Sequence, residues 1–267
     1  MRSLPLAIII LASLTLKGQS TSTLSGAKAQ GVGYTSACLF DEWAILNNVA
    51  GLAKLESSTV ALSYTLNSFL PNGNAQALAF SVPFKSFVTS IGAFSFGDNV
   101  YREQVIAAGI ANTFGVASLG LKLNYIQYRA GSFGQKGMLT ISMGGLAELT
   151  PTFSIGAHIM NINQPKVSEN NDERLPTKLI LGIRYNPSKK VFITAELEKD
   201  IAYSPMFKMG VSYIPQEKFT FRTGYNLNPN AAFFGLGFIH KHILLDYAFE
   251  YKMELGASNQ ASLGYQF

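Results

Sequence analysis

The feature that most constrains this chain is a run of about fourteen short segments between Ser57 and Phe267, in which apolar and polar residues alternate. An alternation with a period of two residues indicates β-strands that have two chemically different faces. The connections between these segments are alternately short and long along the whole run. An up-and-down β-barrel of an outer membrane has this arrangement, because its turns are tight on the periplasmic side and its loops are longer outside.

The alternation is clearest in the fifth segment, where Leu119, Leu121 and Leu123 are separated by Gly120 and Lys122. Most of the short connections carry Pro, Gly or Asn, which favour turn geometry. The predicted strands are 57–66, 75–83, 87–96, 103–111, 115–128, 138–148, 152–161, 177–185, 190–198, 205–214, 218–226, 231–239, 242–251 and 258–267. Their even number is what a barrel with both ends of the sheet on the periplasmic side requires.

A soluble β-sandwich is the alternative architecture, because it also consists of short strands joined by turns. A sandwich does not require connections of alternating length, nor a last strand that ends in an aromatic residue. The longest connection, 163–176, is also the most charged, as expected for an external loop. The predicted fold class is therefore all-β: a membrane-spanning, up-and-down antiparallel β-barrel of about fourteen strands with an N-terminal plug.

The first residues have the composition of a secretory signal peptide. Arg2 provides a positive start, and residues 4–16 form an apolar stretch that is too short to anchor the chain in a bilayer. A short buried helix is the alternative. Behind such a leader, a barrel is expected in the outer membrane of a Gram-negative cell, which it crosses many times. The predicted domains are a signal peptide at 1–20, a hatch or plug at 21–56 and a β-barrel at 57–267.

The composition fits a barrel embedded in lipid. Hydrophobic residues make up 48% of the chain and charged residues only 14%, which is apolar for a soluble domain. After the leader, no apolar run approaches the roughly eighteen residues that a transmembrane helix needs. In a barrel, apolar residues cover the outside while small and polar residues face the lumen. The net charge of +5 includes two basic residues of the leader, so no nucleic-acid partner is inferred.

The same alternation separates lipid-facing from lumen-facing side chains. In the eighth strand Leu179, Leu181 and Ile183 occupy the outward face, which turns Lys178 and Arg184 inward. A charge on the lipid face costs about 2–4 kcal/mol near the midplane, so this parity is strongly imposed. The predicted lining is mostly polar and of mixed charge, and comprises Lys122, Glu148, His158, Lys178, Arg184, Glu196, Glu198, Lys208, Arg222, His242, Asp246 and Glu250.

A catalytic role is the alternative interpretation of this lining. Glu196 with Glu198, and His158 with His242, are residue types that perform acid–base chemistry. Alternate strand positions that face a polar lumen are explained more simply by a salt-bridged lining. No Ser/His/Asp set, metal-spaced cluster or phosphate-binding loop stands out in the sequence. We therefore expect no enzymatic activity, no cofactor and no metal site.

Residues 26–56 interrupt the strand pattern, because they do not alternate. About fourteen strands enclose a lumen that conducts unless it is plugged, and this segment of about thirty residues has the size of a plug. Amide side chains suit a plug, which must satisfy its backbone groups without a strand partner. A disordered periplasmic tail is the alternative, and the apolar residues of the segment disfavour it. The predicted plug residues are Asp41, Trp43, Asn47, Asn48 and Gly51, with Cys38 as a small apolar residue among them.

Two strings in this segment resemble the N-terminal hatch of FadL-like outer-membrane barrels. They are AKAQGVG at 27–33 and DEWAILNNVAGLA at 41–53. The hatch pattern is small-Arg-small-x-Gly-Met-Gly-Gly, an acidic residue, an aromatic residue and then Asn-Asn-Pro-Ala-Gly-Leu. The nearest resemblance is to PorV/PorQ-like members from Bacteroidetes-type bacteria, with Val49 in place of the usual proline. Strand motifs of the group are similar to ERLPT at 173–177, FRTGY at 221–225 and LDYAF at 245–249.

The resemblance implies a plugged barrel of the same strand number. It also implies two alternative functions. Similarity to PorV/PorQ-like proteins implies an accessory or docking component, associated with type IX secretion or with attachment of cargo to the cell surface. Similarity to FadL-like channels implies the alternative, uptake of hydrophobic small molecules such as long-chain fatty acids past a displaceable hatch. A structural barrel without cargo is a third interpretation. The mostly polar lining favours the docking role.

The partners implied by these interpretations fall into two groups. Any outer-membrane barrel contacts outer-membrane lipid and lipopolysaccharide, and is inserted by the barrel-assembly machinery. The docking role adds a secretion-system or surface-protein partner, whereas the uptake role adds a hydrophobic ligand.

The last strand is predicted to carry the assembly signal. Leu263, Tyr265 and Phe267 occupy alternate positions of this strand, and assembly machinery is expected to pair with such an edge by strand addition. Deletion of Phe267 should lower the amount of membrane-inserted protein, whereas deletion of Asn170 in the longest connection should not. Quantitative immunoblots of outer-membrane fractions measure the difference, and equal insertion of the two variants would refute the assignment.

Overall fold

A computed structural model describes residues 23–68, 70, 72–131, 134–167, 174–201 and 203–267. The predicted signal peptide at 1–20 lies outside the described residues, and so do the acidic residues of the longest connection. The described part of the chain forms fourteen β-strands, one short α-helix and one short 3-10 helix.

The strands are all antiparallel and close into one barrel, because β1 pairs with both β2 and β14. The predicted all-β, up-and-down barrel is confirmed, and the strand limits differ from the predicted ones by only a few residues. The strands are β1 Thr59–Asn67, β2 Ala75–Pro83, β3 Val88–Gly97, β4 Tyr101–Phe114, β5 Ala117–Ala130, β6 Gly134–Thr150, β7 Phe153–Met160, β8 Lys178–Ser188, β9 Val191–Asp200, β10 Met206–Gln216, β11 Phe219–Leu227, β12 Ala231–His240, β13 Ile243–Lys252 and β14 Gly256–Gln266.

The two ends of the barrel differ in the length of their connections. At one end the turns are tight, and β12 is separated from β13 only by Lys241 and His242. At the other end the connections have three or more residues, and the one from β7 to β8 covers residues 161–177. We call these the short-turn end and the long-loop end.

The outward face of the barrel carries large apolar side chains on every strand. On β5, Leu119, Leu121 and Leu123 are 54%, 50% and 48% exposed. Soluble monomers rarely expose contiguous apolar patches larger than a few hundred Å². This surface, which we call the apolar belt, is therefore suited to an apolar surrounding rather than to water. Among the helices of the described residues, none is long and apolar enough to cross a membrane.

Residues 23–56, which we call the N-terminal segment, lie inside the barrel. Helix α1 (Ala27–Gly31) contacts β11–β14, whereas the 3-10 helix Val49–Lys54 contacts β3–β6 on the opposite side. All residues of the segment except Glu56 are buried or half-buried. The segment therefore crosses the lumen from one wall to the other.

Inward-facing glycines make room for the N-terminal segment. A Cβ atom on Gly144 would lie 2.0 Å from Asn48 Oδ1, and one on Gly120 would lie 2.7 Å from the carbonyl carbon of Val49. A larger residue at these positions would displace the segment, because protein interiors are close-packed. The glycines that approach the segment in this way form the glycine ring, which comprises Gly92, Gly109, Gly120, Gly144, Gly156, Gly182, Gly210, Gly224 and Gly235.

The glycine ring offers a matched pair of substitutions on β6. Gly144 faces inward, whereas a Cβ atom on Gly145 would lie 3.8 Å from Leu119 Cδ2, an ordinary contact. We expect Gly144→Ala to weaken the packing of the N-terminal segment by about 1–3 kcal/mol and Gly145→Ala to leave it unchanged. The only cysteine, Cys38, is buried in the segment, so its labelling rate by a maleimide measures displacement. Equal rates for the two variants would rule out the predicted contact.

Candidate functional site

Two asparagine side chains bind backbone groups in and around the N-terminal segment. Asn47 Oδ1 accepts a hydrogen bond from the Ser25 N–H (3.0 Å), and Asn47 Nδ2 donates to the Ser25 carbonyl (3.0 Å). Asn48 Nδ2 donates to the carbonyls of Ala37 (2.6 Å) and Gly145 (3.1 Å). Asn48 Oδ1 accepts a backbone N–H from the first turn of the 3-10 helix. These amides replace part of the strand pairing that the segment lacks.

Trp43 is the largest buried side chain of the segment and is 1% exposed. Its ring lies against the backbone of Gly26, where a Cβ atom would be 2.4 Å from the ring. Gly26 has a φ of 96°, a left-handed conformation that favours glycine. Asp41 Oδ1 accepts the Trp43 N–H (2.9 Å). Gly51 is also required by close packing, since a Cβ atom there would lie 2.5 Å from the Leu39 carbonyl oxygen.

The segment is bonded to opposite sides of the barrel wall. On the side of α1, Gln30 Nε2 donates to Glu250 Oε2 on β13 (3.2 Å). On the side of the 3-10 helix, Lys54 forms an ion pair with Glu148 on β6. Both wall carboxylates are members of the lining predicted from the strand alternation, and each contacts the segment rather than open solvent alone.

Ion pairs on β8, β9 and β10 form a charged wall that is joined to the segment. Glu196 Oε2 accepts the Ala37 N–H (2.8 Å), and Glu196 Oε1 accepts from Lys208 Nζ (2.9 Å). Lys208 Nζ also donates to Glu198 Oε2 (2.6 Å), and Lys178 Nζ lies 3.5 Å from Glu198 Oε1. The two carboxylates therefore share one lysine. This arrangement is a salt-bridged lining rather than a free acid–base pair.

The two inward-facing arginines have different partners. Arg222 Nη1 donates to Asp246 Oδ1 (2.5 Å). The Arg184 guanidinium lies 5.0 Å from the ring centre of Phe40 and 4.4 Å from that of Phe192, within the range of cation–π interactions. Phe40 belongs to the N-terminal segment, so Arg184 adds a further contact between the segment and the wall.

Lys122 and His158 are buried on the inward faces of β5 and β7, with 2% and 1% exposure. His158 Nε2 has no hydrogen-bond partner within the described residues. The prediction that His242 faces the lumen is wrong, because β13 begins only at Ile243 and His242 is exposed in the preceding turn. The two histidines therefore do not form a pair. In the described part of the chain, no group of His, Cys, Asp or Glu is placed to hold a metal ion.

A cavity of about 680 Å³ lies above the segment at the long-loop end. Leu24, Ser25 and Tyr34 of the segment contribute to its floor. Tyr34 has a φ of 57°, a strained conformation for an aromatic residue, and its ring packs edge-on against Phe233 at 5.9 Å. Burial, followed by the nearby Glu250 carboxylate, raises the pKa of Tyr34 well above its usual value. The Tyr34 hydroxyl is therefore protonated at neutral pH.

The two walls of this cavity are chemically different. The side formed by β8–β10 carries the charged wall described above. The opposite side, formed by β2 and β3, contributes Ala75, Ala77, Phe94 and Phe96. The predicted mostly polar lining is therefore wrong for this half of the lumen. These strands carry apolar residues on both faces, so they have no inward charge by which sequence reasoning could recognise the lining.

The predicted assembly residues lie at the seam where the barrel closes. Leu263 and Tyr265 are on the outward face of β14, which pairs with β1. Phe267 follows the strand, and its N–H donates to the Ser58 carbonyl (2.9 Å). The rings of Tyr265 and Phe267 are 5.0 Å apart. The three residues therefore lie together at the C-terminal end of β14, next to β1.

Solved structures with a similar fold include hydrocarbon channels, whereas no protein-family model and no curated protein matches the chain. The CymD monoaromatic hydrocarbon channel is 14% identical, with a TM-score of 0.67 over 92% of this chain and 98% of CymD. The Pseudomonas putida toluene transporter TodX is 12% identical, with a TM-score of 0.67 over 91% of this chain and 97% of TodX. The ΔS2S3 mutant of the TodX monoaromatic hydrocarbon channel is 11% identical, with a TM-score of 0.71.

At such low identity these similarities define the fold alone. The fold is that of FadL-type barrels, with fourteen strands closed in sequence order. The class of protein is therefore a closed fourteen-strand β-barrel whose lumen is occupied by its own N-terminal segment.

The buried carboxyl group of Glu42 is expected to make the packing of the segment depend on pH. Glu42 is buried near Asp41, Lys28 and Asp246, and Asp246 is paired with Arg222. Burial first, and then repulsion by Asp41, raises the pKa of Glu42 from 4.5 to about 7. Because the packed state disfavours the carboxylate, the resulting destabilisation is absent below the unfolded value of 4.5 and complete above about 7.

Raising the pH from about 5 to about 8 should therefore loosen the segment, with a midpoint between the unfolded and the folded pKa of Glu42. Trp43 is the only tryptophan of the chain, so a red shift of its fluorescence emission reports the loosening. Glu42→Gln should remove the transition. Lys28→Gln should move the midpoint upward, because the Lys28 charge lowers the pKa of Glu42. An identical emission profile in the wild type and Glu42→Gln would argue against the role of Glu42.

Proposed function

We propose that the protein is an outer-membrane barrel that takes up small hydrophobic molecules, and that the N-terminal segment is the plug that closes it at rest. The observation that carries the proposal is the cavity of about 680 Å³ at the long-loop end, with its apolar wall on β2 and β3. Cavities of this size hold small organic ligands. In this interpretation the ligand enters between the long loops and rests on the plug.

The apolar belt supports a position in the membrane. A strand that crosses a bilayer at the usual tilt needs about 9–11 residues, and the strands from β8 to β14 have 9 to 11 residues. Long loops of outer-membrane barrels lie outside the cell and short turns lie in the periplasm. The cavity would then face the exterior, where a nutrient is captured.

The charged wall favours a neutral ligand over a fatty acid. Lys208 and Lys178 already pair with Glu196 and Glu198. A neutral molecule that packs on the apolar wall leaves these ion pairs intact, whereas a carboxylate would compete with them for a lysine. The names of the similar structures, channels for monoaromatic hydrocarbons and a toluene transporter, support the uptake of such molecules.

A docking role, as in PorV/PorQ-like accessory proteins of secretion systems, is the second candidate. It is favoured by the bonds that hold the N-terminal segment to β6, β9 and β13, because a permanently sealed barrel needs no path through its lumen. A secretion-system or surface-protein partner would then bind the long loops. The uptake role explains the apolar wall of the cavity, which the docking role does not require.

Deletion of residues 26–53 tests the plug. The truncated barrel should conduct ions in planar bilayers, because the lumen is left open, whereas the full chain should conduct little. Circular dichroism of the truncated protein should remain that of a β-barrel, which separates an open lumen from a failure to fold. Equal conductance of the two proteins would exclude the plug assignment.

Ligand binding separates the two functions. The full chain in lipid nanodiscs should bind radiolabelled toluene saturably, above the background of empty nanodiscs. Phe96→Asn, on the apolar wall, should weaken this binding by about tenfold. Phe87→Asn makes the same change in the β2–β3 turn at the short-turn end and should have no effect. Absence of saturable binding of both toluene and palmitate would decide for the docking role.

A further inference from the structure

One sector of the barrel wall is taller than the rest. Strands β4 and β5 have 14 residues each and β6 has 17, whereas β7 has 8. The pairing of β5 with β6 continues to Ala130 and Gly134, but the pairing of β6 with β7 ends at Met143 and Ile159. The long-loop ends of β4, β5 and β6 therefore extend beyond the neighbouring strand β7.

Polar side chains occupy the outward face of this sector directly above the apolar belt. The last row of the belt is formed by Ile106, Tyr125 and Leu139, which are adjacent in register and exposed. Because side chains alternate along a strand, positions two and four residues further lie on the same outward face. These positions form the arginine patch, which comprises Gln104, Gln127, Arg102, Arg129 and Gln135.

The two arginines of the patch lie opposite each other. Arg102 pairs in register with Arg129, and Arg129 pairs with Gln135. Directly opposed residues of an antiparallel pair have Cβ atoms about 4.5–5.5 Å apart, and like charges at such positions are destabilising. The intervening acidic residue, Glu103, is fully buried on the inward face. An anion that bridges the two guanidinium groups would therefore relieve their repulsion.

The described residues supply one carboxylate near this pair, and it forms no ion pair with either arginine. Neither the Arg102 nor the Arg129 side chain forms a hydrogen bond or an ion pair within the described part of the chain. The acidic residue that acts on Arg102 is Asp98 in the β3–β4 turn. Asp98 Oδ1 already accepts the N–H groups of Val100 (2.7 Å) and Tyr101 (3.1 Å). Within the described residues the two arginines thus lack a bridging anion, which a ligand from outside the chain would supply.

We propose that the arginine patch binds the phosphate groups of an anionic glycolipid headgroup in the outer leaflet, the chemistry that lipopolysaccharide presents. Guanidinium groups bind phosphate oxygens in a bidentate geometry. The height of the patch, immediately above the apolar belt, places it at the level of lipid headgroups rather than in solution. The inference rests on the proposed outer-membrane position, but not on the uptake role.

The basic residues at the opposite end of the barrel provide a control. Lys85 lies in the β2–β3 turn and Lys189 in the β8–β9 turn region, and both are exposed. Neither stands opposite another cation in the strand register. Replacing these two lysines removes the same charge as replacing the two arginines, but leaves the arginine patch intact.

The test compares Arg102→Gln/Arg129→Gln with Lys85→Gln/Lys189→Gln, each in the full chain. Native mass spectrometry of the detergent-solubilised proteins measures the binding of bisphosphorylated lipid A. The arginine variant should bind it about thirtyfold more weakly, since each basic residue near an anionic headgroup contributes a roughly fivefold effect. The lysine variant should bind like the wild type. Lipid A without phosphate groups should bind all three proteins equally weakly.

Several outcomes would overturn the inference. Equal weakening in both double variants would indicate a general charge effect. If the wild type bound dephosphorylated lipid A as tightly as bisphosphorylated lipid A, phosphate would have no role. Displacement of lipid A by millimolar inorganic phosphate would indicate a site for free phosphate. Heat-dependent mobility on gels verifies that each variant is folded. If the double variant does not fold, Arg129→Gln alone is the milder substitution for the same test. If no variant inserts into bilayers, the outer-membrane proposal itself fails, whereas insertion with unchanged lipid A binding refutes only the arginine patch.

Discussion

The close contact between the N-terminal segment and the inner wall is the constraint on which the rest of the structure depends. A lumen enclosed by fourteen strands is too wide to be filled by inward side chains alone. The glycine ring removes side chains where the segment passes, so that its backbone approaches the strands directly. Backbone groups brought so close must be bonded, and Asn48 and Glu196 accept or donate these bonds. The wall and the segment are thus complementary in both shape and hydrogen bonding.

This filling divides the lumen into two chemically distinct halves. On the side of β1–β6, Trp43, Ile45 and Leu46 pack with small or apolar inward residues into one buried cluster. On the side of β8–β13, carboxylates and lysines pair with one another and with the segment. The cavity at the long-loop end touches both halves, which explains why it has one apolar and one charged wall. A ligand in this cavity would therefore contact both an apolar wall and a charged wall.

The sequence was sufficient for the strands but not for the contacts between distant residues. The alternation of apolar and polar residues reports the two faces of a strand directly, so every strand was located. Lys208 and Arg222 lie on inward faces, as their positions in the alternation require. Alternation fails where both faces are apolar, which is why Phe94 and Phe96 were missed. It also cannot indicate that Gly144 meets Asn48, because that contact joins residues far apart in the chain. His242 was misplaced because strand limits shift by a residue without changing the pattern.

The same contacts indicate where a path past the plug would form. The 3-10 helix is held by the glycine ring on β4, β5 and β6 and is joined to the apolar cluster, so moving it would expose apolar surface to water. The part of the segment that carries Ser25 and Tyr34 forms the cavity floor, and its polar bonds to the wall join Ala27 to Ser262 and Gln30 to Glu250. Polar bonds are exchanged for bonds to water at small net cost, whereas exposed apolar area has no such replacement. Opening is therefore expected on the side of β11–β14, beneath the cavity, while the 3-10 helix remains in place.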